Sequence, residues 1–160
     1  MATNQNKLSA YSMEELAPLI LDFIGRGKQV IITGKGNSML PFIRSGKDHI
    51  KLSSCSTEIL LPGDVVMYRR TNGSYVIHRI VSVEPDGTFT MKGDSQTWTE
   101  RGITRQQIVA EAVSVFRPEK EITKNNKLYK VYAKFWTKSH IIRAAYELFL
   151  KLKTKIKKVK

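Results

Sequence analysis

A mainly β protein is predicted: a barrel-like coiled antiparallel sheet with a short helix before it and a basic helical tail after it. Three observations in the 160-residue chain carry that expectation. Between Gln29 and Val115 the apolar residues come in short runs separated by turn signals. The spacing, about 8–12 residues, is that of a β barrel or coiled sheet. Asn72-Gly73, the strongest short hairpin signal, joins two of those runs. Apolar residues recur at helical spacing only near the two ends.

Taken in order, residues 1–11 are polar and expected to be disordered. Ser12, with Glu15 three residues on, makes a capping box. Leu16, Leu19, Ile20, Phe23 and Ile24 then share one helical face, and Gly25-Arg26-Gly27 ends the helix. Strands are expected over Gln29–Thr33, His49–Leu52, Val65–Arg70, Ser74–Val83, Thr88–Lys92 and Ile108–Val115. Pro62-Gly63-Asp64 and Pro85-Asp86-Gly87 mark the turns between them. Leu128, Val131, Phe135, Ile141, Ile142, Ala145, Phe149, Leu152 and Ile156 recur at helical spacing among lysines and arginines beyond about Asn125. The expected units are therefore a polar start (1–11), a β domain with its helix (12–117) and a basic amphipathic tail (118–160).

The net charge of +13 is unevenly placed. Residues 117–160 hold 14 Lys/Arg against 3 Asp/Glu, so the positive charge belongs to the tail. Cys55 is the only cysteine, which excludes an intramolecular disulfide and fits a reducing compartment. It lies in a Ser/Thr-rich loop without a neighbouring base, a poor setting for a nucleophile. No basic start followed by a long apolar run is present, and Leu16–Ile24 is too short to span a bilayer. A cytoplasmic location is expected, with the tail offering peripheral attachment to the inner membrane face.

Two segments carry chemistry. Gly34 and Gly36 permit a tight loop that brings Ser38 close to a substrate backbone, and Met39 and Pro41 stiffen its far side. About forty residues later, His78 sits in the apolar run Tyr75–Val81. Its ordinary pKa lets it take the Ser38 proton and return it to a leaving amine. Taken alone, each segment reads as ordinary structure: a Gly-Asn-Ser turn, and a histidine held in a sheet. His49 and His140 lack even this context.

Together the segments are more specific. Gly36-Asn37-Ser38-Met39-Leu40-Pro41, the strand bearing His78 and Lys92-Gly93-Asp94 resemble the signal peptidase/LexA-type serine peptidases. The variant resembled has histidine in place of the bacterial lysine, as in the endoplasmic-reticulum and archaeal type. The resemblance spans about Val30 to Val115. It implies Ser38 as nucleophile, His78 as base, and a carboxylate to fix the imidazole tautomer. Asp94, in the Lys-Gly-Asp box, and Glu100, before Arg101-Gly102, are both candidates for that carboxylate. The oxyanion hole is expected from the Ser38 N–H with Asn37. The chain departs from the family at Gly46-Lys47-Asp48, where Gly-Asp is usual, and at Gly36, where bacterial members have serine. No zinc spacing, phosphate loop or nucleotide motif is present, so no cofactor or metal is expected.

The expected activity is cleavage of a precursor or leader peptide through an acyl-enzyme. The alternative is a peptide-binding or regulatory protein on the same fold. A self-cleaving repressor is weaker, because the stretch before Val30 is short for a DNA-binding domain. Tyr132, Phe135, Trp136, Ile141, Ile142, Phe149 and Leu150 give the tail an apolar side. Lysines beside aromatics suit an anionic membrane surface or an acidic protein, and packing of the aromatics back on the β body is an equal alternative. The lysines suit nucleic acid less, since no recognition motif is legible.

Overall fold

Ser12 starts the first element, α1 (Met13–Gly25). Its hydroxyl accepts from the Glu15 N–H at 3.2 Å, and the Glu15 carboxylate accepts from the Ser12 N–H at 2.7 Å. The capping box thus forms as its sequence predicts. Gly27, at φ 72°, takes the left-handed turn that ends the helix. Ala17, Ile20 and Ile24 form its buried face. This computed structural model describes residues 12–55, 59–118, 120–138, 144–146 and 148. The polar start and, in the tail, His140, Ile141, Ile142, Phe149, Leu150, Leu152 and Ile156 lie outside the described residues.

Among the described residues eight strands follow: β1 (Val30–Thr33), β2 (His49–Ser53), β3 (Val65–Arg69), β4 (Tyr75–Val83), β5 (Phe89–Lys92), β6 (Glu100–Ile103), β7 (Ile108–Arg117) and β8 (Lys120–Thr123). A second helix, α2 (Lys127–Lys138), comes after them. All pairings are antiparallel, in the order β1-β2-β7-β3-β4-β5-β6, with β8 beside β7. The sheet is open, since β1 and β6 end the row, and this corrects the barrel-like expectation. An open sheet must bury its inner face under other elements, and α1 and α2 do so here. The ten residues of β7 serve three partners. One edge pairs β2, while the other is divided between β3 near its start and β8 near its end.

The β3–β4 hairpin sets the register that matters most. Gly73, at φ 88°, is the only positive-φ residue of its turn. The Gly73 N–H donates to the Arg70 carbonyl at 2.9 Å, and the Arg70 N–H to the Ser74 carbonyl at 2.8 Å. This is a type I turn followed by a left-handed glycine, not the two-residue type I′ turn common for Asn-Gly. It opposes Val66 to His78 and Val65 to Arg79.

Two apolar clusters result. Ile20, Ile24, Met39, Phe42, Ile43, Ile50, Met67, Tyr129 and Ala133 belong to the first, with Tyr75 and Ile77 packed against it. Val66, Tyr68, Ile80, Phe89, Met91, Ile103 and Ile108 belong to the second, with Val76 packed against it. Alternation from Tyr75 to Ile80 therefore sends odd-numbered side chains to the first cluster and even-numbered ones to the second.

The tail adds a strand to its expectation and decides between two placements of its aromatics. Residues 120–123 form β8 and extend the sheet before any helix begins. Of the two placements open to the tail aromatics, Tyr132 and Trp136 take the inward one and pack onto the body.

Candidate active site

The loop between β1 and β2 carries Ser38. Gly34 is buried at its entry, where an added Cβ would stand 2.7 Å from the Ile43 side chain. Its far end is closed by Asp48, which is fully buried and bound to Arg44 through both the backbone and the guanidinium, with Arg117 Nε at 3.6 Å. The Gly46-Lys47-Asp48 departure is thus a built turn, with Gly46 at φ 69°.

Ser38 is held by the segment after β5. The Ser95 N–H donates to the Ser38 carbonyl at 2.9 Å, and Ser95 Oγ donates to the Asn37 carbonyl at 2.7 Å. A Cβ on Gly93 would meet the Ser38 carbonyl oxygen at 2.7 Å, so this approach requires glycine. Both carbonyls point into that contact. Among the described residues, no hydrogen bond uses the Ser38 N–H, the Ser38 hydroxyl or the Asn37 side-chain amide.

His78 is 2% exposed. Its Nδ1 lies 3.0 Å from the Tyr68 hydroxyl and 3.4 Å from Glu100 Oε1. Glu100, at the start of β6, is in turn gripped by Arg70 through Nε at 2.8 Å and through Nη2. Burial lowers the His78 pKa to about 4, partly opposed by the Glu100 charge and reinforced by Arg70. Burial pushes the Glu100 carboxyl up, but hydrogen bonds from Arg70 and Tyr68 outweigh it and hold the group below its ordinary range. Burial and the Glu100 charge push the Tyr68 hydroxyl well above its ordinary pKa. Phenol and carboxylate thus meet the imidazole at Nδ1, the guanidinium holds the carboxylate, and no described hydrogen bond uses Nε2.

Asp94, the other candidate carboxylate, is engaged elsewhere. Its two oxygens take Arg79 Nε at 2.8 Å and Nη2 at 2.7 Å. Tyr132 donates to the same carboxylate at 3.1 Å, and Trp136 Nε1 to the Asp94 carbonyl at 2.8 Å. Arg79 is fully buried, donates also to the Gly63 carbonyl and the Tyr129 hydroxyl, and lies 5.0–5.5 Å from the ring centres of Phe42, Tyr129 and Tyr132. The Asp94 pairing outweighs burial and raises the Arg79 pKa further above its ordinary value. This caged ion pair connects β4, the Ser95 segment and α2.

Strand pairing places Ser38 relative to His78. β5 pairs β4 only from Arg79 onward, so among the described residues Tyr75–His78 have β3 on one side and an unpaired edge on the other. The Ser95 segment leaves the end of β5 beside that edge and brings Ser38 with it. A cavity of about 610 Å³ lies there, lined by Ser38 and Gly36, by β1, by Leu16, Leu19 and Phe23 of α1, and by Tyr75, Val76 and Ile77. His78 is the next residue along the strand. No described hydrogen bond joins Ser38 Oγ to the His78 ring. His49, read as ordinary structure, pairs with Thr33 at 3.2 Å and lines the same cavity. No group of His, Cys, Asp and Glu side chains suited to a metal ion occurs among the described residues.

Sequence reasoning passed over Tyr68, Arg70 and the structural role of Arg79. The hairpin register offered a signal for Tyr68: a turn centred on Thr71–Ser74 puts it on the face of His78, one diagonal step away. No known family's sequence model matches the chain, and no curated protein matches it.

Proposed function

We propose that this chain is a serine endopeptidase that takes an extended polypeptide along the unpaired edge of β4. Ser38 attacks the scissile carbonyl, and His78 Nε2 receives its proton and passes it to the leaving amine. Glu100 keeps the imidazole in the tautomer that frees Nε2. The Ser38 N–H, with Asn37, faces the developing oxyanion. An acyl-enzyme forms and water releases it, with a precursor or leader peptide as the substrate class.

One observation carries the reading. The imidazole is held at Nδ1 by Glu100 and Tyr68, and Nε2 is unused in a strand whose next residues line the cavity that Ser38 lines. A histidine serving only to fill the core does not need the carboxylate. The Ser38–His78 hydrogen bond must form when a peptide fills the groove, as catalytic contacts often tighten only in the substrate complex. The groove suits such an occupant, because a strand edge supplies main-chain hydrogen bonds while its apolar walls take side chains.

A fluorophosphonate probe and a mixed-sequence peptide library test the proposal. Ser38 is expected to be labelled, and labelling and cleavage are both expected to be lost in Ser38→Ala and His78→Ala with the fold intact. Turnover retained in either purified variant refutes the mechanism. The absent Ser38–His78 hydrogen bond favours a second reading, a peptide-binding protein without hydrolysis. Peptide capture by an unlabelled, inactive wild type selects it.

A further inference from the structure

We propose that the outward face of α2 is a docking surface for an anionic lipid bilayer. The helix has two apolar faces. One is spent inward: Tyr129, Ala133 and Trp136 are buried against the sheet and the Arg79–Asp94 pair. The other is Leu128, Val131 and Phe135, at 71%, 52% and 56% exposure. These three are spaced i, i+3, i+7 and form one stripe along the helix, turned about a third of a revolution from the buried face. Lys127 and Lys134 border the stripe on the side away from Trp136, and Lys130 lies beyond them. The helix has no acidic residue.

Scattered exposed apolar residues need no explanation, but an aligned stripe beside a lysine ridge does. The occupant that satisfies both is a bilayer surface, whose anionic headgroups meet the lysines while its acyl boundary takes the apolar side chains. Residues 117–160, with 14 Lys/Arg against 3 Asp/Glu, add the long-range attraction. A nucleic acid or an acidic polypeptide meets the charge and leaves the stripe in water.

The test is co-sedimentation of the full chain with phosphatidylcholine vesicles, with and without phosphatidylglycerol, at physiological ionic strength. Binding is expected only when phosphatidylglycerol is present. The triple variant Leu128→Ser, Val131→Ser, Phe135→Ser is expected to weaken it by about tenfold or more, with an unchanged melting temperature. Three results overturn the proposal: no binding of the wild type to anionic vesicles, equal binding by the triple variant, or stronger binding to duplex DNA or poly-glutamate than to the vesicles. Ser38→Ala is expected to bind like the wild type, so loss of the peptidase reading leaves this result standing.

Discussion

His78 governs the acid response. Its pKa is about 4 when folded, against 6.5 for an ordinary imidazole. Above pH 6.5 the ring is neutral in folded and unfolded chains alike. As pH falls from 6.5 to about 4 the unfolded chain binds a proton that the folded one refuses, so stability is lost across that window. Urea midpoints measured from pH 7 to 4.5 are expected to fall, with a shallower fall in His78→Gln. The acid limb of kcat/KM is expected near pH 4, and a limb near 6.5 would place the base elsewhere. The Glu100 charge raises the His78 pKa, so Glu100→Gln is expected to move that limb lower. It is also expected to reduce kcat by about 10²- to 10⁴-fold through loss of the correct tautomer. At this scale the sequence was partly legible. A local box marked each of Ser38, His78, Asp94 and Glu100, but choosing between the two carboxylates required knowing that Arg79 already held Asp94.

Among the elements, α2 separates two kinds of apolar residue that look alike in sequence. Trp136 donates to the Asp94 carbonyl and stacks with Tyr132 at 5.2 Å, so Trp136→Ala is expected to cost about 3–5 kcal/mol in a urea titration. Leu128→Ser, on the outward stripe, is expected to stay within about 0.5 kcal/mol of the wild type. The Ser95 segment makes a different demand. Gly93→Ala would drive a methyl group into the Ser38 carbonyl, a backbone clash that side-chain movement cannot relieve, so kcat and the melting temperature are both expected to drop. Two strands escaped notice for a shared reason. Glu100-Arg101-Gly102-Ile103 and Lys120-Glu121-Ile122-Thr123 each contain one apolar residue, so neither alternates. They are strands because β5 and β7 present backbone partners, information that no window of four residues holds.

Over the whole molecule, local patterns located six of the eight described strands and the helices α1 and α2, while closure of the sheet depended on which distant edges meet. β1 and β6 do not meet, among the described residues no helix is long and apolar enough to cross a membrane, and the helices cover one face of the sheet. This open architecture leaves much resting on a single hairpin. His78 and Arg79 are neighbours in the chain, and the pleat aims them at opposite sides of the sheet. A slip of one position in β4 would turn each to the opposite face. In one direction Arg79, which never yields its proton, would take the position of the proposed base and leave Asp94 facing Ile80. The bend at Thr71–Ser74 therefore sets a chemical identity as well as a shape, and a one-residue insertion there would disable both faces of the sheet at once.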